Sequence, residues 1–289
     1  MMKARLVLVA ALVVSACSSS GPDFVTSEAR PDFAFVRNGT QLVTGSDVGD
    51  ANVVWDLADS LVGGSTSAES IEAITSREVF VGVCCEPVAG RQLIVDVDDG
   101  TTEIFPLAVR FPSVAEGSVS SVVSGGSTLV ADDLGALLAY QEGIGVVPRG
   151  AQIRQARGAT IFRPEAVGDT RIAFVDGSES GEGLLFVTDL EGEVLVASSV
   201  GNVDDIAYDA ANDVIVTLAN AREISLLRPD TLEQIVRRDV VREVAALDAR
   251  DGWLMLVRVD GSMAAAPITD PQASEDLVAS GATAGAWLK

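Results

Sequence analysis

Asp205-Ile206-Ala207-Tyr208-Asp209-Ala210-Ala211-Asn212-Asp213-Val214-Ile215-Val216-Thr217-Leu218 is the stretch on which the reading of this chain turns. An acid opens a run of apolar, small and apolar residues, a polar turn follows, and a β-branched run begins at Val214. Branched side chains lose little freedom in extended backbone and pack well on a pleated surface, so VIVTL reads as a strand reached through a hairpin. The phrase recurs. Ser70-Ile71-Glu72-Ala73-Ile74 precedes Val79, and Glu243-Val244-Ala245-Ala246-Leu247 precedes Trp253, each across a short polar turn.

On either side of this stretch, β-branched runs return at Phe33 (FAFV), Val79 (VFVGV), Thr128 (TLVA), Ile172 (IAFV), Val214 (VIVTL) and Trp253 (WLMLV). Taking Leu129 for the third, their spacings are 46, 50, 43, 42 and 39 residues. LIVDVDDG from Leu93, LFVTDLEG from Leu185 and LLRPDTLE from Leu226 each meet an acidic turn and re-enter a strand, which supplies third and fourth strands. Asn38-Gly39, Asp99-Gly100, Asp176-Gly177, Asp251-Gly252 and Asp260-Gly261 offer the positive-φ residues of tight hairpins. A period near 40 to 50 with several strands per unit predicts an all-β fold, a β-propeller. The 266 residues from Phe24 to Lys289 allow six four-stranded blades of about 44 residues, with seven tighter ones the alternative. Ring closure would pair Ala284–Leu288 with residues around Phe24. One segment dissents: Leu232, Ile235, Val236, Val240, Val244 and Leu247 fall at helical spacing, but the repeat register assigns them to strands.

The amino terminus carries an address. Lys3 and Arg5 precede nine apolar residues, Leu6 to Val14, and then Ser15-Ala16-Cys17. A basic stretch, a short apolar stretch and small residues before a cut make an export signal, and nine residues of helix, about 14 Å, are too short to span a bilayer. Val14-Ser15-Ala16-Cys17 resembles the lipobox of bacterial lipoproteins. That resemblance implies cleavage after residue 16, acyl chains on Cys17 as the anchor, and a location in the cell envelope on the extracytoplasmic side of a membrane. Residues 17–23 would then form the lipidated cysteine and a polar tether, and 24–289 the propeller. Taken whole, the chain resembles bacterial lipid-anchored β-propeller lipoproteins.

Composition narrows the chemistry. Forty-two acids against 20 bases give a net charge of −22, and loss of residues 1–16 removes two bases and no acid, leaving −24. Such a surface repels phosphate backbones, so nucleic acid is not a partner to expect. Histidine is absent and the only lysines are Lys3 and Lys289, which excludes histidine-based nucleophilic triads, imidazole-ligated metals and lysine Schiff bases. Cys84 and Cys85 are the cysteines left once Cys17 is lipidated, and an oxidising compartment predicts that they bridge each other as a structural clip, two free thiols being the alternative.

Calcium is the only metal that an acidic, oxygen-rich chain invites. Asp96–Gly100 and Asp176–Glu182 lack the ligand register of a calcium loop and read as hairpin turns. Glu72, Asp204, Asp205 and Glu243 would stand at matching starts of innermost strands, around one mouth of the axial channel. There they form either a solvated rim or a seat for a cation or polar ligand. Six-bladed lactonase-type hydrolases are similar in placing a Glu, Asn and Asp metal site there, which would enlist Asn202 beside Asp204. Arg154, Arg157 and Arg163 form a basic stretch that reads as pairing with nearby carboxylates. The expected function is a non-catalytic binding or scaffold module with no cofactor, meeting an unidentified protein or small ligand. The alternatives are a calcium-dependent hydrolase using channel carboxylates and a structural subunit of an envelope complex.

Overall fold

The computed structural model describes residues 24–47, 49–57, 67–84, 91–104, 127–131, 136–141, 145–152, 161–168, 170–176, 183–189 and 193–288. The repeat governs them throughout. The chain begins with β1 (Phe33–Arg37), β2 (Gln41–Gly45) and β3 (Ala51–Asp56), followed by β4 (Ser67–Ala73), β5 (Glu78–Cys84), β6 (Arg91–Asp96) and β7 (Thr102–Ile104). β8 (Ser127–Ala131), β9 (Ala136–Gln141) and β10 (Gly145–Gln152) come next, then β11 (Ile161–Val167), β12 (Arg171–Asp176), β13 (Gly183–Asp189) and β14 (Val194–Gly201). β15 (Val203–Asp209), β16 (Val214–Ala219), β17 (Glu223–Leu227) and β18 (Gln234–Asp239) precede β19 (Val244–Arg250), β20 (Trp253–Arg258), β21 (Met263–Pro267), β22 (Glu275–Val278) and the last strand, β23 (Ala282–Trp287).

Among the described residues these strands make six antiparallel sheets: β23-β1-β2-β3, β4 to β7, β8 to β10, β11 to β14, β15 to β18 and β19 to β22. Of the six quoted runs, those at Phe33, Val79, Ile172, Val214 and Trp253 are second strands of their sheets, and the one at Thr128 opens the three-stranded set. β4, β11, β15, β19 and β23 lie beside one another around the common axis. Sheet faces pack on sheet faces between neighbours, so middle strands are buried on both sides, as in VIVTLA of β16, while outer β14 alternates half-buried and exposed residues. Among the described residues, four seams are apolar layers. Ala34, Leu42 and Trp55 meet Val79, Leu93, Ala284 and Ala286 between the first and second sheets. Val216 and Leu226 meet Leu254 and Ala266 between the fifth and sixth.

The ring closes as a composite sheet, with a difference from the expected pairing. β23 pairs with β1, Trp287 opposite Phe33, and not with residues around Phe24. The N-terminal residues cross instead to the fifth and sixth sheets, where Phe24 packs on their shared core. The apparent helix is a coincidence of connection lengths. Leu232 sits in the β17–β18 turn at φ +56°, Ile235 and Val236 in β18, Val240 in the connection, and Val244 and Leu247 in β19. Asp251 and Gly252, at φ 50° and 79°, close the two-residue hairpin between Arg250 and Trp253, as the Asp-Gly signal predicts. Gly177 of the Asp176-Gly177 signal and residues 105–126 lie outside the described residues.

Candidate functional site at the channel mouth

Each innermost strand described here carries a register break near its start: between Ala68 and Ser70, Phe162 and Glu165, Val203 and Asp205, Val244 and Ala246, and Ala282 and Ala284. Such bulges increase twist and re-aim the residues that follow. From the break onward, alternate residues face the next sheet: Asp205, Ala207 and Asp209 on β15, Ala246, Asp248 and Arg250 on β19, and Ala284, Ala286 and then Leu288 at β23. This register separates the acids that the sequence groups together. Ala73 pairs with Val79, Asp209 with Val214 and Arg250 with Trp253, so the intervening hairpins span five, four and two residues. Counting backward from the second strand therefore lands on different depths of the first.

The four predicted mouth acids accordingly have separate environments. Asp205 is buried, and its Oδ1 accepts the Ile206 N–H at 3.0 Å while Oδ2 accepts the Leu247 N–H of the next innermost strand at 2.8 Å. Asp204 accepts the Ala221 N–H at 2.6 Å. Glu243 is exposed and pairs with Arg222 at 3.2 Å. Only Glu72 reaches the axial cavity. Among the described residues no group of three or more acids stands close enough to hold a metal ion. Asn202 is exposed between β14 and β15. Asp96 and Asp98 pair with Arg77 while Asp96 and Asp99 accept turn N–H groups, which ties the acidic string to its own hairpin. Cys84 ends β5, but its side chain, Cys17, Cys85, Arg154, Arg157 and residues 177–182 lie outside the described residues, as does the side chain of Arg163.

The cavity opens where innermost strands end. Glu72, Glu165, Tyr208, Asp248, Arg250 and Asp251 line it, with Trp287 beside them. Four acids against one arginine make the mouth negative, and a volume of about 50 Å³ holds a few waters or one small cation. Asp248 is already engaged: Oδ1 accepts the Ala249 N–H at 2.7 Å and Oδ2 the Trp287 N–H at 2.7 Å. It repeats at the sixth-to-first seam the bonding that Asp205 makes at the fifth-to-sixth. Glu165, Asp248 and Arg250 escape a reading of the sequence because only strand register, not distance from a turn, reveals which side chains look inward.

Beside this mouth the N-terminal segment is strapped down. Asn212 Oδ1 accepts the Val25 N–H at 2.6 Å and Asn212 Nδ2 donates to the Val25 carbonyl at 2.8 Å. Ser27 N donates to the Asp251 carbonyl at 2.9 Å, and Trp253 Nε1 donates to the Ser27 carbonyl at 3.1 Å. A Cβ on Gly252 would stand 2.1 Å from the Val25 carbonyl oxygen, so glycine is required for the approach as well as for its φ of +79°. Arg30 completes the strap by reaching Asp47 in the β2–β3 turn at 2.8 Å and Glu275 of the sixth sheet at 3.2 Å. Beneath Asn212, buried Asp209 accepts from Asn212 Nδ2 and, at 3.2 Å, from Gly252 N. Burial raises its carboxyl above the ordinary range, the hydrogen bonds from Asn212, Gly252 and Ala211 offset part of that, and neighbouring Asp251 adds to the rise.

No family model and no curated protein matches the chain. Among solved structures it is similar to PorZ, a bacterial surface component of the type-IX secretion system of Porphyromonas gingivalis, with 18% identity and a TM-score of 0.47 over 75% of this chain. It spans 28% of PorZ. It is also similar to Sqt1 of Saccharomyces cerevisiae, with 12% identity and a TM-score of 0.50, over 86% of this chain and 73% of that one. The likeness to Sqt1 is one of fold, and with six sheets set around one axis it makes this chain a β-propeller.

Proposed function

We propose that the protein is a lipid-anchored, extracytoplasmic propeller acting as a binding or scaffold module, attached through Cys17 and without chemistry of its own. The reading is supported at its membrane end by the basic, apolar and small-residue order before Cys17. Two or three acyl chains at one cysteine suffice for stable attachment. The observation that carries it is the strap: the first described residues, Phe24 to Ser27, are built into the ring by hydrogen bonds to Asn212, Asp251 and Trp253. Pull transmitted through a tether would thus reach two sheets and not a frayed end. The remaining surface, its blade edges and loops, is then free to receive a protein or small ligand.

Wild type and Cys17→Ala, expressed in a bacterial host with labelled fatty acid, test the anchor. The wild type should take up label and sediment with membranes, and the variant should do neither. A wild type without label overturns the lipid-anchored reading. Cross-linking of intact cells tests the scaffold role: one envelope protein recovered in defined proportion supports it, and turnover of lactone or ester substrates by the purified chain overturns it.

A further inference from the structure

The strap and the tether together fix which way the propeller faces. Phe24 to Ser27 lie across the β15–β16 and β19–β20 hairpins, and Ala210 and Asp251 of those hairpins also line the channel mouth. The chain therefore leaves the folded body on the same face as that mouth. Cys17 stands seven residues before Phe24, and seven residues of fully extended chain reach at most about 25 Å. That is shorter than the diameter of a domain of this size, about 40 Å on a radius-of-gyration scale. A body so held cannot turn over at the membrane surface.

We infer that the propeller sits with its channel mouth and the β15–β16 and β19–β20 hairpins turned toward the bilayer, and that the opposite face, bearing the 240–243 connection and the β20–β21 hairpin, is the one presented outward. This rests on the lipid anchor at Cys17 proposed above. The two faces are well separated. β15 runs from one to the other over seven residues, about 20 Å of strand. Ala211 is exposed on the strapped face, while Val241 and Val259, 76% and 61% exposed, lie on the far face, where Val259 N donates to the Glu243 carbonyl at 3.0 Å. Charge alone would not give this arrangement. An acidic body is repelled by anionic lipid, so a face bearing Asp213, Asp230 and Asp251, with Arg171 offsetting the first two, stays near the surface only because the strap holds it.

The test places a donor dye, through an azide-bearing residue, at position 211 or at position 241 of the mature chain on vesicles carrying an acceptor lipid. Two preparations are used: protein lipidated by its bacterial host, and residues 18–289 joined at the amino terminus to a synthetic diacyl lipid. The dye at 211 should transfer energy severalfold more strongly than the dye at 241 in both. Equal transfer from the two positions, or stronger transfer from 241, overturns the orientation. If the host-made protein fails to float with vesicles while the synthetic conjugate shows the asymmetry, the anchor reading falls and the geometric inference stands. A third variant adds about 20 Gly/Ser residues between Ser20 and Gly21, roughly another 25 Å of mean reach. The asymmetry should shrink there, and its full persistence would show that the tether does not set the orientation.

Discussion

Two seams of the ring offer the same positions of an innermost strand to the sheet beyond. At the β15–β19 seam they hold Asp205, Ala207 and Asp209, and at the β23–β4 seam Ala284, Ala286 and Leu288. In the first, carboxylates receive the N–H groups of Leu247 and Gly252. In the second, methyl and isobutyl groups join Ala73, Val79 and Leu93 in one apolar layer, and a backbone bond from Ala68 N to the Gly39 carbonyl at 2.6 Å crosses the gap. A propeller seam therefore has two requirements. Apolar area must be removed from water and inward-pointing amides must find acceptors, but either side chains or backbone can provide those acceptors. A carboxylate fixes one geometry at the cost of burying charge, whereas an apolar contact tolerates small shifts.

The largest loss is expected from Asp205→Ala. Two buried amides would lose their acceptor, for an expected loss of about 2–5 kcal/mol in urea unfolding. Asp205→Asn keeps one acceptor oxygen and should lose distinctly less. A loss below about 1 kcal/mol in the alanine variant would show that the seam does not depend on its carboxylate.

Leu288→Ala probes the other seam. Leu288 is 8% exposed, so its truncation should cost about 2–4 kcal/mol through lost burial and a residual cavity. The two losses should also differ in kind. Conservative rescue by Met should work at 288, because volume is what matters there, while at 205 only an oxygen acceptor should rescue. Rescue of Asp205 by Leu would erase the distinction.

Much of the fold is legible in the chain itself. Strand composition and spacing identify six repeats, and Asp251-Gly252 marks its own hairpin, because local chemistry alone determines those features. The site is legible only in part. Glu72 does reach the mouth, but Asp204, Asp205 and Glu243 group with it only if hairpins of unequal length can be counted through. A bulge of one residue reverses which face a side chain takes, and no composition signal marks Asp204 or Ala245 as the extra residue. The strap is hidden for a related reason. Asn212 and Gly252 read as ordinary turn residues, and only a chain segment 187 positions away from Asn212 gives them a second task.

The carboxylate seam should also carry a pH signature that the apolar seam lacks. Asp209 titrates above the ordinary range because burial disfavours its ionised form. Its folded value thus exceeds its unfolded one, near 3.9, so its contribution to stability is full below that pH and declines as pH rises through the raised value. Wild type compared with Asp209→Asn should lose relative stability over that rise and stay level above it. The same comparison with Leu288→Ala should show no such step. A wild type that gains on Asp209→Asn with rising pH would reverse the assignment.

The smallest effect expected is that of calcium, and it follows from how the acids are spent. Asp205 and Asp248 each serve two amides, Asp204 serves Ala221 N, and Glu243 serves Arg222. A cation entering the mouth would meet Arg250 among Glu72, Glu165 and Asp251, the arginine already lying 3.7 Å from the Asp251 carboxylate, and the arginine opposes it. A bound ion at 100 times its dissociation constant would add about 2.7 kcal/mol, readily seen in melting temperature. Since any salt screens a chain of charge −22, calcium must be compared with magnesium and sodium at matched ionic strength. The expected calcium-specific shift is none in wild type. A specific rise that disappears in Glu72→Gln but survives Asp204→Asn/Asp205→Asn would place a cation among the mouth residues and bring metal-dependent chemistry back to this propeller.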